Sequence, residues 1–109
     1  MKRQIARLVD ASGGAKTSNS LPFDIYNRPE CSLQVVVTGT ANYTVQQTLD
    51  DVFDSTVTPT WFDHPDATLV AATASKQGNY AYIPAAVRIV LNSGSGSVVL
   101  TAIQAGING

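Results

Sequence analysis

From Cys31 onward the chain is a train of short β-type segments, each cut off within a few residues by Gly, Asn, Asp, Ser or Pro. Seven or eight such segments at short spacing, separated by local turns, are the signature of one architecture. They lead to an all-β sandwich or barrel. Residues 31–38, CSLQVVVT, alternate as a half-buried strand, with Cys31, Leu33, Val35 and Val37 on one face and Val36 on the other. Residues 42–49, NYTVQQTL, set Tyr43, Val45 and Gln47 on one face against Thr44, Gln46 and Thr48 on the other. The Thr38-Gly39-Thr40-Ala41 turn between them predicts an antiparallel hairpin. Residues 86–91, AVRIVL, place Val87, Ile89 and Leu91 inward and Arg88 and Val90 outward. A flexible hairpin turn at Asn92–Gly96 leads to a last strand at 97–104, SVVLTAIQ. Period-two alternation thus predicts a core of Leu33, Val35, Val37, Val45, Val87, Ile89, Leu91, Val98 and Leu100.

The remaining segments carry weaker signals. Residues 21–27, LPFDIYN, predict a short strand with Leu21, Phe23 and Ile25 on one face, held at a sheet edge or at its own start by Pro22. Residues 50–60 predict a loop with Val52 and Phe53 tucked beneath it, and Trp61–Pro65 a compact aromatic element. Residues 67–77 fit a helical turn or a strand; Gly78-Asn79 predicts a turn, and YAYI at 80–83 puts Tyr80 and Tyr82 on one face. Residues 2–9, KRQIARLV, have mixed apolar spacing that does not decide between strand and helix. Residues 10–20, DASGGAKTSNS, are small, polar and Gly-containing, as in a linker. The predicted organisation is a β-sandwich or jelly-roll-like domain over residues 21–109, preceded by an extended N-terminal arm and linker over residues 1–20.

A chain of 109 residues makes one domain, and 44% hydrophobic residues suffice for a core. Only 14% of residues are charged, against roughly 25% in most soluble domains. A surface so poor in charge suits a protein packed against copies of itself or a partner; the other reading is a soluble β domain with a Ser/Thr-rich face. A net charge of −1 disfavours nonspecific nucleic-acid binding. The charge is unevenly spread, with Lys2, Arg3, Arg7, Lys16 and Arg28 against Asp10 and Asp24 near the start. Asp50, Asp51, Asp54, Asp63 and Asp66 then cluster with no base among them. Such regions either meet across copies or remain solvated loops. The first residues are too apolar for a solvated tail. The arm is therefore expected to dock Ile5, Leu8 and Val9 on a neighbouring protein, with Arg3 and Arg7 pairing carboxylates at the rim. Cys31 is the only cysteine, so no disulfide forms within the chain, in keeping with assembly in a reducing cytoplasm. No apolar run predicts a signal peptide or a membrane span.

Catalytic chemistry is sparse. His64, beside Asp63 and before Pro65, reads as a turn residue whose ring caps a backbone group, and no nucleophile-elbow pattern accompanies it. The Asp-rich stretch lacks the alternating oxygens and turn glycine of a calcium loop, and aspartates also open turns by bonding their own backbone. Tyr43, Trp61, Phe62, Tyr80 and Tyr82 offer a sugar- or base-stacking platform, but without interleaved Arg or Lys the nucleic-acid form is weak; the other reading packs Trp61 and Phe62 on the sandwich core and lines strand faces with the tyrosines. The expectation is no enzyme, no metal and no cofactor.

At VVVTGTANYTVQQTLDD, WFDHP, GNYAY and AAVRIVLNSGSGSVVLTAIQAG, in that order across roughly residues 31–106, the chain resembles small virion structural proteins of tailed bacteriophages, of the capsid cement or decoration type. The resemblance implies an all-β protein that binds and stabilises the major capsid protein shell. It also implies a homo-oligomeric protein on the capsid exterior of the virion, assembled in the host cytoplasm, with neither nucleic acid nor membrane as partner. It transfers no catalytic or binding residue. Two alternatives stand beside it: a tail or fibre-associated structural protein binding a receptor or glycan through the aromatics, and an enzyme or lectin-like binder unrelated to virions.

Overall fold

The computed structural model describes residues 2–23, 31–79 and 84–104. Among these residues nine strands run in chain order: β1 Lys2–Val9, β2 Lys16–Thr17, β3 Leu21–Pro22, β4 Cys31–Thr38, β5 Asn42–Thr48, β6 Phe62–Asp63, β7 Lys76–Asn79, β8 Ala86–Ser93 and β9 Ser97–Gln104. A 3-10 turn, Ala67–Leu69, lies between β6 and β7. The strands form two antiparallel sheets. Sheet A has the order β1-β9-β4-β7; sheet B has β2-β8-β5-β6, with β3 also on β8.

This order follows from nested pairing. β1 pairs with β9, β2 and β3 with β8, β4 with β7, and β5 with β6. The chain is thus a long antiparallel ribbon folded back on itself. Wrapping the ribbon adds two further seams, β4 on β9 and β5 on β8, and gives the strand order of a jelly roll. β2 and β3 act as one interrupted strand along β8, and Ser18 bridges the gap: its N–H donates to the Ile89 carbonyl at 2.9 Å and its hydroxyl accepts from the Ile89 N–H at 3.0 Å.

Side-chain rows across the sheets account for the core. In sheet A, Ala6, Leu100 and Val35 form one inward row, and Leu8, Val98 and Val37 the next. In sheet B, Tyr43 lies beside Leu91, Val45 beside Ile89, and Gln47 beside Val87. Val45, Val87, Ile89, Leu91, Val98 and Leu100 have no solvent exposure. Of the predicted core, only Val37 is partly exposed, packed against the rest. Truncating a side chain buried this completely costs about 2–5 kcal/mol. Tyr43 and Leu69 are also wholly buried, and the Tyr43 hydroxyl donates to the Ala74 carbonyl at 2.7 Å. Burial raises the Tyr43 phenol above its ordinary pKa.

Three crossings between the sheets stack at one end. Asp10 donates its N–H to Gly96, Ala11 to Gly94, and Gly96 to Thr40, at 3.0, 2.8 and 2.7 Å. Asp10, Gly39 and Gly94 take positive φ there (55°, 80° and 105°), the left-handed backbone a tight corner requires.

Several sequence expectations differ from this arrangement. Of the arm expected over residues 1–20, the described residues 2–20 do not stand apart: β1 runs in register with β9 from Lys2 opposite Gln104 to Val9 opposite Ser97. The linker stretch contributes β2 and Ser18 to sheet B. The alternation in β1 is obscured in the sequence because its inward positions are Gln4, Ala6 and Leu8, while Ile5 and Val9 point outward and are 58% and 50% exposed. The β4–β5 hairpin is absent, since β4 lies in sheet A and β5 in sheet B. The 92–96 turn likewise joins sheet B to sheet A. Both flanking strands find their partners far away in the chain, which local spacing does not reveal. Phe53 is not tucked under its loop but 78% exposed, and Gly78-Asn79 belongs to β7. The readings for Ile25, Tyr80 and Tyr82 fall outside the described residues.

Candidate interface on the outer face of sheet A

The two outer faces of the sandwich differ. That of sheet B is covered and cross-linked by polar groups. Thr44 is buried, accepting from the Ala71 N–H at 3.0 Å and the Asn92 amide at 3.1 Å. Gln46 donates to Asp63 at 3.0 Å and accepts from Arg88 Nε at 2.8 Å, and the Arg88 guanidinium lies 4.3 Å from the centre of the Trp61 ring. Partial desolvation lowers the Arg88 pKa. This chain of contacts holds Trp61 half-buried against Arg88 of the sheet rather than as a free stacking platform.

Sheet A carries no such layer among the described residues. Its outward rows are Arg3, Ile103 and Ser32; Ile5, Thr101, Gln34 and Gln77; Arg7, Val99 and Val36; and Val9, Ser97 and Thr38. None of these residues is a carboxylate, and Arg3 and Arg7 are the only charges among them. Val36 is 45% exposed on the same face as the exposed Ile5 and Val9, with β9 between them. Short side chains at the middle of the face leave a shallow concavity of about 710 Å³ whose lining includes Arg3, Ile5, Gln34, Gln77, Thr101 and Ile103.

Of the arm residues expected to contact a partner, Arg3, Ile5, Arg7 and Val9 share this face, brought together by the period of β1. Leu8 does not join them; it packs against the core. Sequence reasoning missed the contributions of β4 and β9, namely Gln34, Val36, Val99, Thr101 and Ile103. A signal for them is present: their solvent-side positions hold Val, Ile, Thr and Gln where a solvated strand carries charges.

The other candidates resolve into local structure. His64 is buried, and its Nδ1 accepts from the Asp66 N–H at 2.9 Å, so the ring caps a backbone group. Three of the aspartates bond the backbone of their own loop. Asp51 accepts from the Phe53 N–H at 2.9 Å, Asp50 from the Thr60 N–H at 2.7 Å, and Asp54 from both the N–H and hydroxyl of Thr56 at 2.9 and 2.7 Å. Among the described residues no group of three or more His, Cys, Asp or Glu side chains is placed to hold a metal ion. Phe62 is 65% exposed rather than packed on the core, and Leu49 and Phe53 are exposed near it in sequence.

Compared with known protein families and with curated proteins, the chain matches none.

Proposed function

We propose that this chain is a bacteriophage virion structural protein, a cement protein that lays the outer face of sheet A on a shell of major capsid protein and stabilises it. The observation carrying this reading is the outer face of sheet A, which among the described residues is uncovered and free of carboxylates, its outward rows spanning four strands with only Arg3 and Arg7 charged. A rigid sheet face with neutral polar and β-branched side chains loses little conformational entropy on docking. Repeated over a symmetric lattice, many modest contacts of this kind hold a shell through avidity. The resemblance at residues 31–106 points the same way, and the jelly-roll order is an architecture that capsid proteins use.

The tail or fibre reading, in which aromatics bind a glycan, has less support. Trp61 lies against Arg88, and among the described residues the lining of the sheet A concavity holds no aromatic side chain.

Occupancy on empty shells tests the proposal. Val36→Glu with Thr101→Glu places two charges on the outer face without touching the core. Shell occupancy should fall at least about tenfold, as for loss of a central interface contact, with an unchanged melting temperature. Full occupancy by this variant would move attachment elsewhere on the molecule.

A further inference from the structure

A second group of exposed apolar side chains lies between the end of β5 and β6. Leu49, Phe53 and Phe62 are 70%, 78% and 65% exposed, and Val57 is 37% exposed. Large apolar side chains so exposed and so close in sequence mark an interaction site more often than a solvated loop. Asp50, Asp51, Asp54 and Asp63 border them, and no Lys or Arg lies between 50 and 66. The loop is also ordered by its own hydrogen bonds, with Asp50 clamping Thr60 across its base and Asp54 capping the turn at Thr56. It is therefore an ordered, exposed loop.

We propose that the 49–62 loop of one copy docks into the concave outer face of sheet A of a second copy. The two surfaces are complementary in each respect. The face is concave, apolar at Ile5 and Ile103, basic at Arg3 and Arg7, and free of carboxylates along its outward rows. The loop carries Phe53 as its most exposed large apolar side chain and is acidic without a base. Within one copy neither surface covers the other, since Ile5 and Phe53 are both exposed in the isolated chain. Pairing two different patches makes the contact heterologous, so it propagates head to tail and closes into a ring or continues as a chain. Phe53 enters the concavity as the anchor, and Arg3 and Arg7 meet Asp51 and Asp54 at the rim. The face cannot hold a shell and a loop at once, so this contact belongs to the free protein and gives way when the face docks on a shell; its test uses the isolated protein and stands apart from that reading.

Sedimentation velocity of the purified protein across a concentration series tests it. Wild-type protein should associate with rising concentration, more weakly at high salt. Phe53→Ser should weaken association about tenfold or more, as for loss of an aromatic anchor. The face variant Arg3→Glu with Arg7→Glu, and the loop variant Asp51→Lys with Ser55→Lys, should each fail to associate alone. Mixed together they should associate again, since each then supplies the partner that the other needs. All these positions are exposed, and circular dichroism with thermal melting confirms that each variant is folded. A wild-type protein monomeric at every concentration overturns the proposal. So does association that survives Phe53→Ser, which would indicate face-to-face pairing, and so does a mixture of the two charge variants that stays monomeric.

Discussion

The tightest constraints on single residues lie at the stacked corner. A Cβ on Gly94 would sit against the Thr40 carbonyl and 2.8 Å from the Ala41 Cα, both backbone, at a φ of 105°. Gly94→Ala should therefore lower stability by about 2 kcal/mol or more, from the clash and the strained backbone together. Gly13 serves as the contrast, since a Cβ added there would meet nothing within 4 Å: Gly13→Ala should melt within a few degrees of wild type. Thermal denaturation of the pair separates them. Carboxylates provide a second residue-scale expectation. Asp10 and Asp54 are held below the ordinary carboxylate pKa by hydrogen bonds from the side chains and backbone N–H groups of Ser12 and Thr56, and Asp66 by those of the Thr68 backbone and side chain. Their folded-state pKa values are depressed, so the stabilisation they give is present above the unfolded carboxylate value. It is lost as pH falls through that value and then through the lower folded one. Denaturant midpoints should stay flat down to about pH 4.5 and decline below about pH 4. A midpoint independent of pH down to about 3 would show that these turns hold without their charges.

At the scale of elements, β1 carries the largest revision. As an arm it would be dispensable; as a strand it shields β9, which would otherwise become an unpaired edge eight residues long. Deleting residues 1–9 should lower the melting temperature sharply and promote aggregation, as seen by light scattering during a thermal ramp. Unchanged melting with a monodisperse product would restore the view of a separable segment. Alternation identifies β4, β8 and β9 well because the core positions it picks there, such as Leu33 and Val35, Ile89 and Leu91, and Val98 and Leu100, are all aliphatic. In β5 the inner face is legible too, yet Thr44 and Thr48 are buried on the other, because residues beyond β5 fold back over it. Polar side chains there give no sign of burial, since the hydrogen bonds of Thr44 come from Ala71 and Asn92, distant in sequence. The interface candidate is half legible for the same reason. The mixture of arginines and aliphatics marks β1, whereas β4 and β9 join it only through pairing.

For the whole molecule, nearly every structural join connects distant parts of the chain. β1 meets β9, β3 meets β8, and even the short β4–β5 connection spans two sheets. Ordering such a fold requires closing long loops before the contacts that reward it form. Refolding from denaturant should accordingly take milliseconds to seconds or longer, followed by Trp61 fluorescence in stopped flow. Microsecond folding would mean that some local unit not evident in the pairing forms first. This topology also explains why composition and alternation identify the architecture while misassigning connections. Short strands, frequent turns and few charges restrict the class of fold, but the pairing that distinguishes a meander from a wrapped ribbon lies between residues far apart in the chain.

The antiparallel seam between the first and last strands has a mechanical consequence. Lys2 and Gln104 occupy the same rung, at one end of that seam. A force drawing these two residues apart loads the rungs one after another, so β1 peels from β9 as a zipper opens. A force applied between Val9 and Gln104, at opposite ends of the same seam, would instead load all of its hydrogen bonds together in shear. The molecule is therefore weak to tension across one pair of points and strong across another, and the direction in which neighbours pull on it decides which of these resistances is felt.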